Sequence, residues 1–203
     1  MTSDNKLNKE VRKLLFAVRR SRRYHQARRR FFDRWNTITN AITFVFGSVA
    51  IYTVLALADK PIVTILLAAA VSLAAVLNFV FGTTRKARLY HDLARDFINL
   101  ESRILSVEKP THEDLKQWTA RRHEIEAGEP PVKEVLDILM HNKQALAQEI
   151  PEGKTIEERI YHVNAFQRAL AQYIDVSPDS IVTVKEKKDR KLGGKQRKEL
   201  NPA

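Results

Sequence analysis

Two long stretches without a charged residue dominate the hydrophobic pattern of this chain. They cover residues 35–58 and 61–84, and only Asp59 and Lys60 separate them. At 1.5 Å per residue each stretch would form about 36 Å of helix, whereas the hydrocarbon layer of a bilayer is about 30 Å thick. The short link would turn the second helix back against the first. The pattern therefore predicts a two-helix transmembrane hairpin with spans 35–58 and 61–84, together forming a domain over 35–84.

Polar, helix-forming sequence flanks the predicted hairpin on both sides. Residues 1–34 are predicted to form a basic cytoplasmic lead-in, helical from Asn8 to Asp33, that runs into the first span. After Gly82 apolar residues recur at helical spacing as far as Ser106, so the second span should continue as a helix. The two extensions are expected to pack as an antiparallel stalk.

The remainder of the region 85–175 reads as further helices. Thr111 with Asp114 three residues later is a capping pair that opens one helix, and Gly128 suits its end. Pro131 is placed to be the first residue of the following helix.

A second capping pair, Thr155 with Glu158, predicts a last helix that runs to Tyr173. No stretch alternates between apolar and polar residues, so the predicted fold class is an all-α membrane protein with a helical cytoplasmic stalk and cap. Residues 176–203 are rich in lysine and are predicted to be a disordered basic tail.

Charge orients the predicted hairpin. The formal net charge is +11, and it is concentrated outside the two spans. Cytoplasmic flanks of membrane proteins collect Lys and Arg, so both termini are expected in the cytoplasm. The basic residues expected at the membrane surface are Arg28, Arg29, Arg30, Arg34, Arg85, Lys86 and Arg88. The chain has no cysteine, which excludes disulfides and thiolate chemistry.

Several strings resemble a known family. They are Tyr24-His25-x-x-Arg28, Phe31-Phe32-x-Arg34-Trp35, Tyr90-His91-x-Leu93 and, most specifically, Glu124 to Pro131 followed by Leu136-Asp137 and His141-Asn142. Together with the short-linked hairpin they resemble the SLATT domain, the SMODS- and SLOG-associated two-transmembrane effector of bacteria, over roughly residues 10–175.

The resemblance implies a multi-pass protein of the bacterial inner membrane that acts in antiviral defence. Such an effector would form a homo-oligomer and open a pore or disrupt the membrane when triggered by a separately encoded sensor or nucleotide-signalling partner. The chain has no appended nucleotide sensor, because Gly193-Gly194-Lys195 lacks the strand and helix of a phosphate loop. The alternative is a membrane-anchored scaffold whose cytoplasmic helices dock a partner without forming a pore.

Small and polar residues follow one face of each predicted span. Such faces allow close helix packing in lipid, but asparagine in a membrane also tends to face protein or water. Both helix packing and pore lining therefore stay open. The candidate residues are Asn36, Asn40, Thr43 and Gly47 in the first span, and Thr64, Ser72 and Asn78 in the second.

The remaining candidates point away from catalysis. His25 and His91 are expected at similar depth in the stalk, as packing residues or as a pH-sensing or metal-binding pair. The basic run from Arg19 to Arg34 suits a lipid surface, an anionic ligand or, least well, nucleic acid. No pattern of a nucleophile, a metal site or a cofactor loop occurs. We therefore expect a non-enzymatic protein without cofactor or metal, with no nucleic acid as partner.

Overall fold

The computed structural model describes residues 3–56, 61–148, 150, 155–175, 178, 181–190 and 192. The predicted link, Asp59 and Lys60, lies outside them. The described residues form seven principal helices: α1 Ser3–Ala56, α2 Pro61–Phe81, α3 Thr83–Leu105, α4 His112–Ala127, α5 Glu134–Leu146, α6 Ile156–Arg159 and α7 Ala165–Leu170. No strand occurs in this part of the chain, which confirms the all-α class.

The predicted membrane hairpin is the main point that the structure corrects. Among the described helices, none combines the length and the apolar character needed to cross a bilayer. The predicted localisation, a multi-pass protein of the bacterial inner membrane with cytoplasmic termini, is therefore wrong.

The chain divides into two compact units. The first unit combines Met1–Tyr24 with Leu93–Ala203, and the second unit is His25–Asp92. In the first unit, residues 4–8 of α1 share a cavity wall with residues 108–110, whereas Arg19 pairs with Glu101. α1 and α3 therefore run antiparallel there. The apolar side chains buried in this unit include Leu14, Val18, Phe97, Leu100, Trp118, Val135, Leu136 and Met140.

The second unit also pairs α1 with α3 in an antiparallel arrangement. The hydroxyl of Thr84 donates to the Asn36 side-chain oxygen at 3.4 Å, and the Phe32 ring stacks on Tyr90 at 5.6 Å. Residues earlier in α1 thus contact residues later in α3, as in an antiparallel pair. The contacts expected of two antiparallel extensions are present within each unit.

A glycine separates α2 from α3, although the sequence predicts one continuous helix through Ser106. Gly82 has a φ of +53°, in the left-handed region where an L side chain costs roughly 1–2 kcal/mol. Its carbonyl accepts the first helical hydrogen bond of α3, from the Lys86 amide at 3.0 Å. The break follows from this backbone reversal.

The predicted ends of α4 are confirmed, but the predicted start of α5 is wrong. Thr111 and Asp114 form a reciprocal capping box, and Gly128 is the C-cap. Helix α5 begins at Glu134, not at Pro131. The reason is that two distant side chains hold its first amides: the Lys133 N–H donates to the Tyr24 hydroxyl at 3.0 Å, and the Glu134 N–H donates to an Asp175 carboxylate oxygen at 3.2 Å.

The helix predicted from Thr155 to Tyr173 is interrupted. The Thr155–Glu158 capping box is present, but α6 ends at Arg159 and the backbone is extended at Ile160. Asn164 then caps α7 through a second reciprocal box with Gln167. A competing cap within the segment therefore divides it into two short helices.

Part of the predicted disordered tail is ordered. Residues 184–190 are helical, and a capping pair precedes them, in which Thr183 and Glu186 exchange side chain-to-backbone hydrogen bonds of 3.1 and 3.2 Å. An isolated antiparallel bridge joins Thr183 to Tyr161. Lys188 and Lys185 pair with Glu157 and Glu158 of α6. These contacts account for the order.

Two glycines give a matched test of backbone conformation. We expect Gly82→Ala to lower the free energy of unfolding by about 1 kcal/mol, since its φ is positive. Gly47→Ala should raise it by up to about 1 kcal/mol, because Gly47 lies inside α1 with nothing within 4 Å of an added Cβ and alanine is the better helix former. Urea unfolding followed by circular dichroism measures both. Changes of the same sign would contradict the described conformations.

Candidate functional site

Four arginines in one turn of α1 join the helices of the first unit. This arginine cluster is Arg19, Arg20, Arg22 and Arg23. Arg19 Nε and Arg22 Nη1 donate to the two oxygens of Glu101 at 2.8 and 2.6 Å, and the Glu101 side chain is only 10% exposed. One carboxylate of α3 therefore neutralises two arginines of α1.

The other two arginines reach α5. Arg23 Nε donates to the Gln144 side-chain oxygen at 2.8 Å, and Gln144 is buried. Arg20 forms a 3.2 Å ion pair with Asp137. The arginine cluster thus fixes both the α1–α3 and the α1–α5 contacts in the first unit.

The His-Asn pair of α5 holds an extended segment. The Asn142 amide nitrogen donates to the Tyr161 carbonyl at 2.7 Å, and its side-chain oxygen accepts from the Tyr161 N–H at 2.8 Å. These two hydrogen bonds resemble those made by a neighbouring strand. They satisfy both the N–H and the C=O of Tyr161. Ring contacts place His141 between Phe16 and Tyr161, at 5.1 and 5.3 Å.

The fold changes the ionisation of His141. Half-burial lowers its pKa below the ordinary 6.5 despite an opposing contact of its Nε2 with the Arg159 carbonyl at 3.1 Å. The positive charges of Arg20 and Arg159 act in the same direction as burial, and Asp137 opposes them. The folded state therefore favours the neutral ring.

A cluster of aromatic rings surrounds Arg28 in the second unit. Its guanidinium lies 4.8, 5.3 and 5.5 Å from the ring centroids of Phe32, Tyr90 and Phe31. Such cation–π contacts are favourable when partly desolvated. Arg28 was expected at a membrane surface but is only 6% exposed, because these rings cover it.

The other basic candidates lie on the surface. The side chains that are exposed as expected are those of Arg29, Arg30, Arg34, Arg85, Lys86 and Arg88. Whether they contact lipid stays a prediction.

The described residues of the predicted polar stripe differ in how far they are buried. Asn36, Thr43 and Gly47 are half-buried, whereas Asn40 and Ser72 are exposed. The Thr64 and Asn78 side chains are not among those that the structure describes. The buried polar residue nearby is Thr39, whose hydroxyl donates to the Trp35 and Asn36 carbonyls at 3.0 Å.

The two stalk histidines differ in environment. His25 is buried and stacks on Tyr90 at 5.9 Å. His91 is half-exposed and lies 3.4 Å from its neighbour Asp92. In the part of the chain that the structure describes, no group of three or more His, Asp or Glu side chains could hold a metal ion.

Sequence reasoning missed Glu101 and Gln144 as interaction centres. A signal for Glu101 was present, because it interrupts the apolar face of α3 one residue after Leu100. From helical periodicity alone, such a residue is placed at the edge of the apolar face. Its arginine partners lie some eighty residues earlier in the chain. Gln144 carries no signal beyond its place on an otherwise apolar face of α5.

The fold and these contacts define a class: an all-α protein whose helices are joined by ion pairs and amide hydrogen bonds. No family model, no characterised protein and no solved structure gives a significant match to the chain. The SLATT resemblance therefore stays a prediction.

Removal of the Glu101 charge tests the arginine cluster. We expect Glu101→Gln to lower the free energy of unfolding by about 2 kcal/mol, since two arginines lose a largely buried partner. The matched control is Glu124→Gln, whose pair with Arg121 is exposed and contributes less than about 0.5 kcal/mol. Chemical unfolding measures both variants. Equal losses would show that the cluster has no special role.

Acid titration tests the environment of His141. Because its folded pKa lies below 6.5, the unfolded chain takes up the proton first as the pH falls. Its contribution is complete above about pH 6.5 and is lost as the pH decreases toward the folded pKa. Between pH 7.5 and 5.5, unfolding free energy should fall less in His141→Gln than in the unchanged protein. An unaltered slope in His141→Gln would contradict the described burial.

Proposed function

We propose that this chain is a non-enzymatic effector of the SLATT type that acts by assembling with further copies of itself. The observation that supports it best is the exposure of large apolar side chains on α1 and α2. Phe44 is 77% exposed and Ile62 is 72% exposed. Further exposed members are Ile38, Val45, Val49, Ile65, Leu66, Leu73 and Val76.

This apolar surface is more than a single chain normally leaves in water. A helix that is apolar on most sides is normally buried, and large exposed patches mark interaction surfaces. Covering one large side chain contributes about 1.5–3 kcal/mol, so several of them suffice for a stable contact. A second copy presents the same surface, which makes self-association the simplest way to cover it.

The finer architecture in this proposal is a stalk with a cap. The antiparallel α1–α3 pairs support the stalk, and α4 to α7 would form the cap. The cap would receive a signal from a separately encoded sensor or nucleotide-signalling partner, as the resemblance implies. The pore or membrane disruption also expected from the resemblance stays a prediction, and self-assembly does not depend on it.

A scaffold that docks a partner is the second candidate. The observation that favours it is a group of exposed apolar side chains at the end of the first unit, namely Phe166, Tyr173 and Ile174. A scaffold would use this surface and need no contact between α2 helices. The two functions therefore place the essential apolar residues in different units.

The absence of cysteine from the sequence allows a clean cross-linking test. With self-assembly through α2, Ser72→Cys on that helix should give dimers and larger species under mild oxidation in cells. Ser102→Cys, exposed on α3, is the control and should stay monomeric. In the Ser72→Cys background, adding Ile65→Asp and Leu73→Asp should abolish the cross-links, since two charges would enter the contact.

A second control separates assembly from partner docking. Phe166→Asp removes a comparably exposed apolar side chain outside the proposed contact, so it should leave the Ser72→Cys cross-links intact. If Phe166→Asp abolishes them and the α2 substitutions do not, the scaffold is the better interpretation.

A further inference from the structure

The extended segment 160–162 of the first unit presents two edges of backbone hydrogen-bonding groups. In an extended chain, successive residues direct their N–H and C=O groups to opposite sides. Tyr161 directs both of its groups toward α5, where the Asn142 side chain bonds them. The residues before and after Tyr161 therefore direct theirs away from Asn142. These groups form a second edge, which suits pairing with another extended segment.

Residues 181–190 occupy this second edge, and we call them the strap. The His162 N–H donates to the Val182 carbonyl at 2.9 Å. The Val184 N–H donates in turn to the Ile160 carbonyl at 3.0 Å, and the pairing is antiparallel. The strap therefore pairs as an extended peptide does when it joins an exposed sheet edge.

Opposite charges reinforce this backbone pairing. Lys185 of the strap pairs with Glu158 at 2.6 Å, and Lys188 pairs with Glu157. The two lysines are three residues apart, so they lie on one side of the helical turn and meet two consecutive carboxylates of α6. Residues 181–184 are all β-branched, which favours an extended chain. The surface formed by α6 and the second edge thus fits a β-branched extended segment that is followed by lysines.

The contacts of the strap are of kinds that open easily. Its helical part, residues 184–190, is about two turns long, and helices shorter than about 12–15 residues are marginal by themselves in water. The Lys185 and Lys188 side chains are 52% and 59% exposed. Ion pairs of exposed side chains are weak, and salt screens them. We therefore expect the strap to open without unfolding of the rest of the first unit.

We propose that α6 and the second edge form a binding surface for an extended basic segment of another protein, and that the strap is its built-in competitor. The partner segment has β-branched residues followed by lysines three residues apart, because the strap shows that the surface accepts this pattern. The strap opposes binding, since a tethered segment reaches an effective concentration in roughly the millimolar range. The surface belongs to the first unit, whereas the apolar surface proposed for assembly belongs to the second. The inference therefore goes beyond the proposed function and does not depend on it.

Two neighbouring amides test whether the strap opens locally. The His162 amide is bonded to the strap, whereas the Tyr161 amide is bonded to Asn142 of α5. Raising sodium chloride from about 0.05 M to about 0.5 M should accelerate hydrogen exchange of the His162 amide at least about threefold, because the ion pairs of the strap are screened. Exchange of the Tyr161 amide, measured by NMR in the same sample, should stay unchanged. Equal acceleration of both amides would contradict a separately opening strap.

Binding of a fluorescent peptide with the sequence of residues 181–190 to the full chain tests the surface. In Lys185→Glu with Lys188→Glu the carboxylates of α6 repel the strap, so more of the protein is open. The peptide should therefore bind this variant at least about tenfold more tightly than the unchanged protein, as measured by fluorescence anisotropy. The matched control is Lys109→Glu with Lys116→Glu, which makes the same charge change at exposed positions and should bind like the unchanged protein. A peptide of the same composition in scrambled order should not bind.

A disulfide between the strap and the second edge gives a reversible control. The two backbone hydrogen bonds flank the opposed residues Tyr161 and Thr183. The Cα atoms of such a pair are about 4.5 Å apart, within the range of about 4.4–6.8 Å that disulfides require. Adding Tyr161→Cys and Thr183→Cys to the Lys185→Glu, Lys188→Glu variant should abolish peptide binding on oxidation and restore it on reduction. Circular dichroism must show that each variant is folded; if the open variant fails this check, Lys188→Glu alone is used, with Lys116→Glu as its control.

Three further outcomes would overturn the proposal. They are no peptide binding to the open variant at millimolar concentration, equal binding of the scrambled peptide, and undiminished binding to the oxidised disulfide form. The second would show a general charge effect, and the third would place the peptide elsewhere on the protein. Cross-linking through Ser72→Cys reports separately on assembly, so failure of this surface and failure of the proposed function are distinguishable.

Discussion

The first unit depends on the need of four neighbouring arginines to find acceptors in different directions. At roughly 100° per residue, Arg19, Arg20, Arg22 and Arg23 are spread over a little less than half of the circumference of α1. Each guanidinium is at least partly removed from water, and a charge so placed is costly unless it is paired. Glu101 of α3 accepts from Arg19 and Arg22. On α5, Gln144 accepts from Arg23 and Asp137 pairs with Arg20. The register of three helices is set where these acceptors meet the arginines.

A second constraint comes from backbone groups that local sequence leaves unsatisfied. The extended residue Tyr161 has its N–H and C=O bonded by one Asn142 side chain, and the start of α5 is held by Tyr24 and Asp175. An unpaired buried backbone group costs about 1–3 kcal/mol. These side chains therefore help to specify the path of the chain. Asn142 of the His-Asn string makes one of these contacts, which gives that residue a structural reason.

The sequence was informative where structure is decided locally. The helical class and the caps at Thr111 and Thr155 follow from spacing and from side chains that bond three residues away. It was misleading where distant residues or special backbone geometry decide. Gly82 ends α2 through a positive φ, and Asn164 divides a predicted helix by offering a better cap. The membrane assignment rested on the length of two stretches without charge, and that criterion ignores the polar side chains at 36–40 and the basic half of the same helix.

The candidate sites show the same division. Arg28 has the sequence context of a surface residue, since it opens a run of three arginines, yet Phe31, Phe32 and Tyr90 enclose it. A linear charge count cannot separate Arg28 from Arg29, because the difference depends on which side of α1 meets α3.

The chemistry of arginine explains why the cluster is not simply a set of positive charges. Glu101 accepts from Nε of Arg19 and from a terminal nitrogen of Arg22, so each oxygen receives a directed bond from a planar group. Lysine would bring one point charge on a flexible stem and lose that fixed geometry. A buried ion pair adds little net stability compared with apolar packing, so the value of this one lies in orientation.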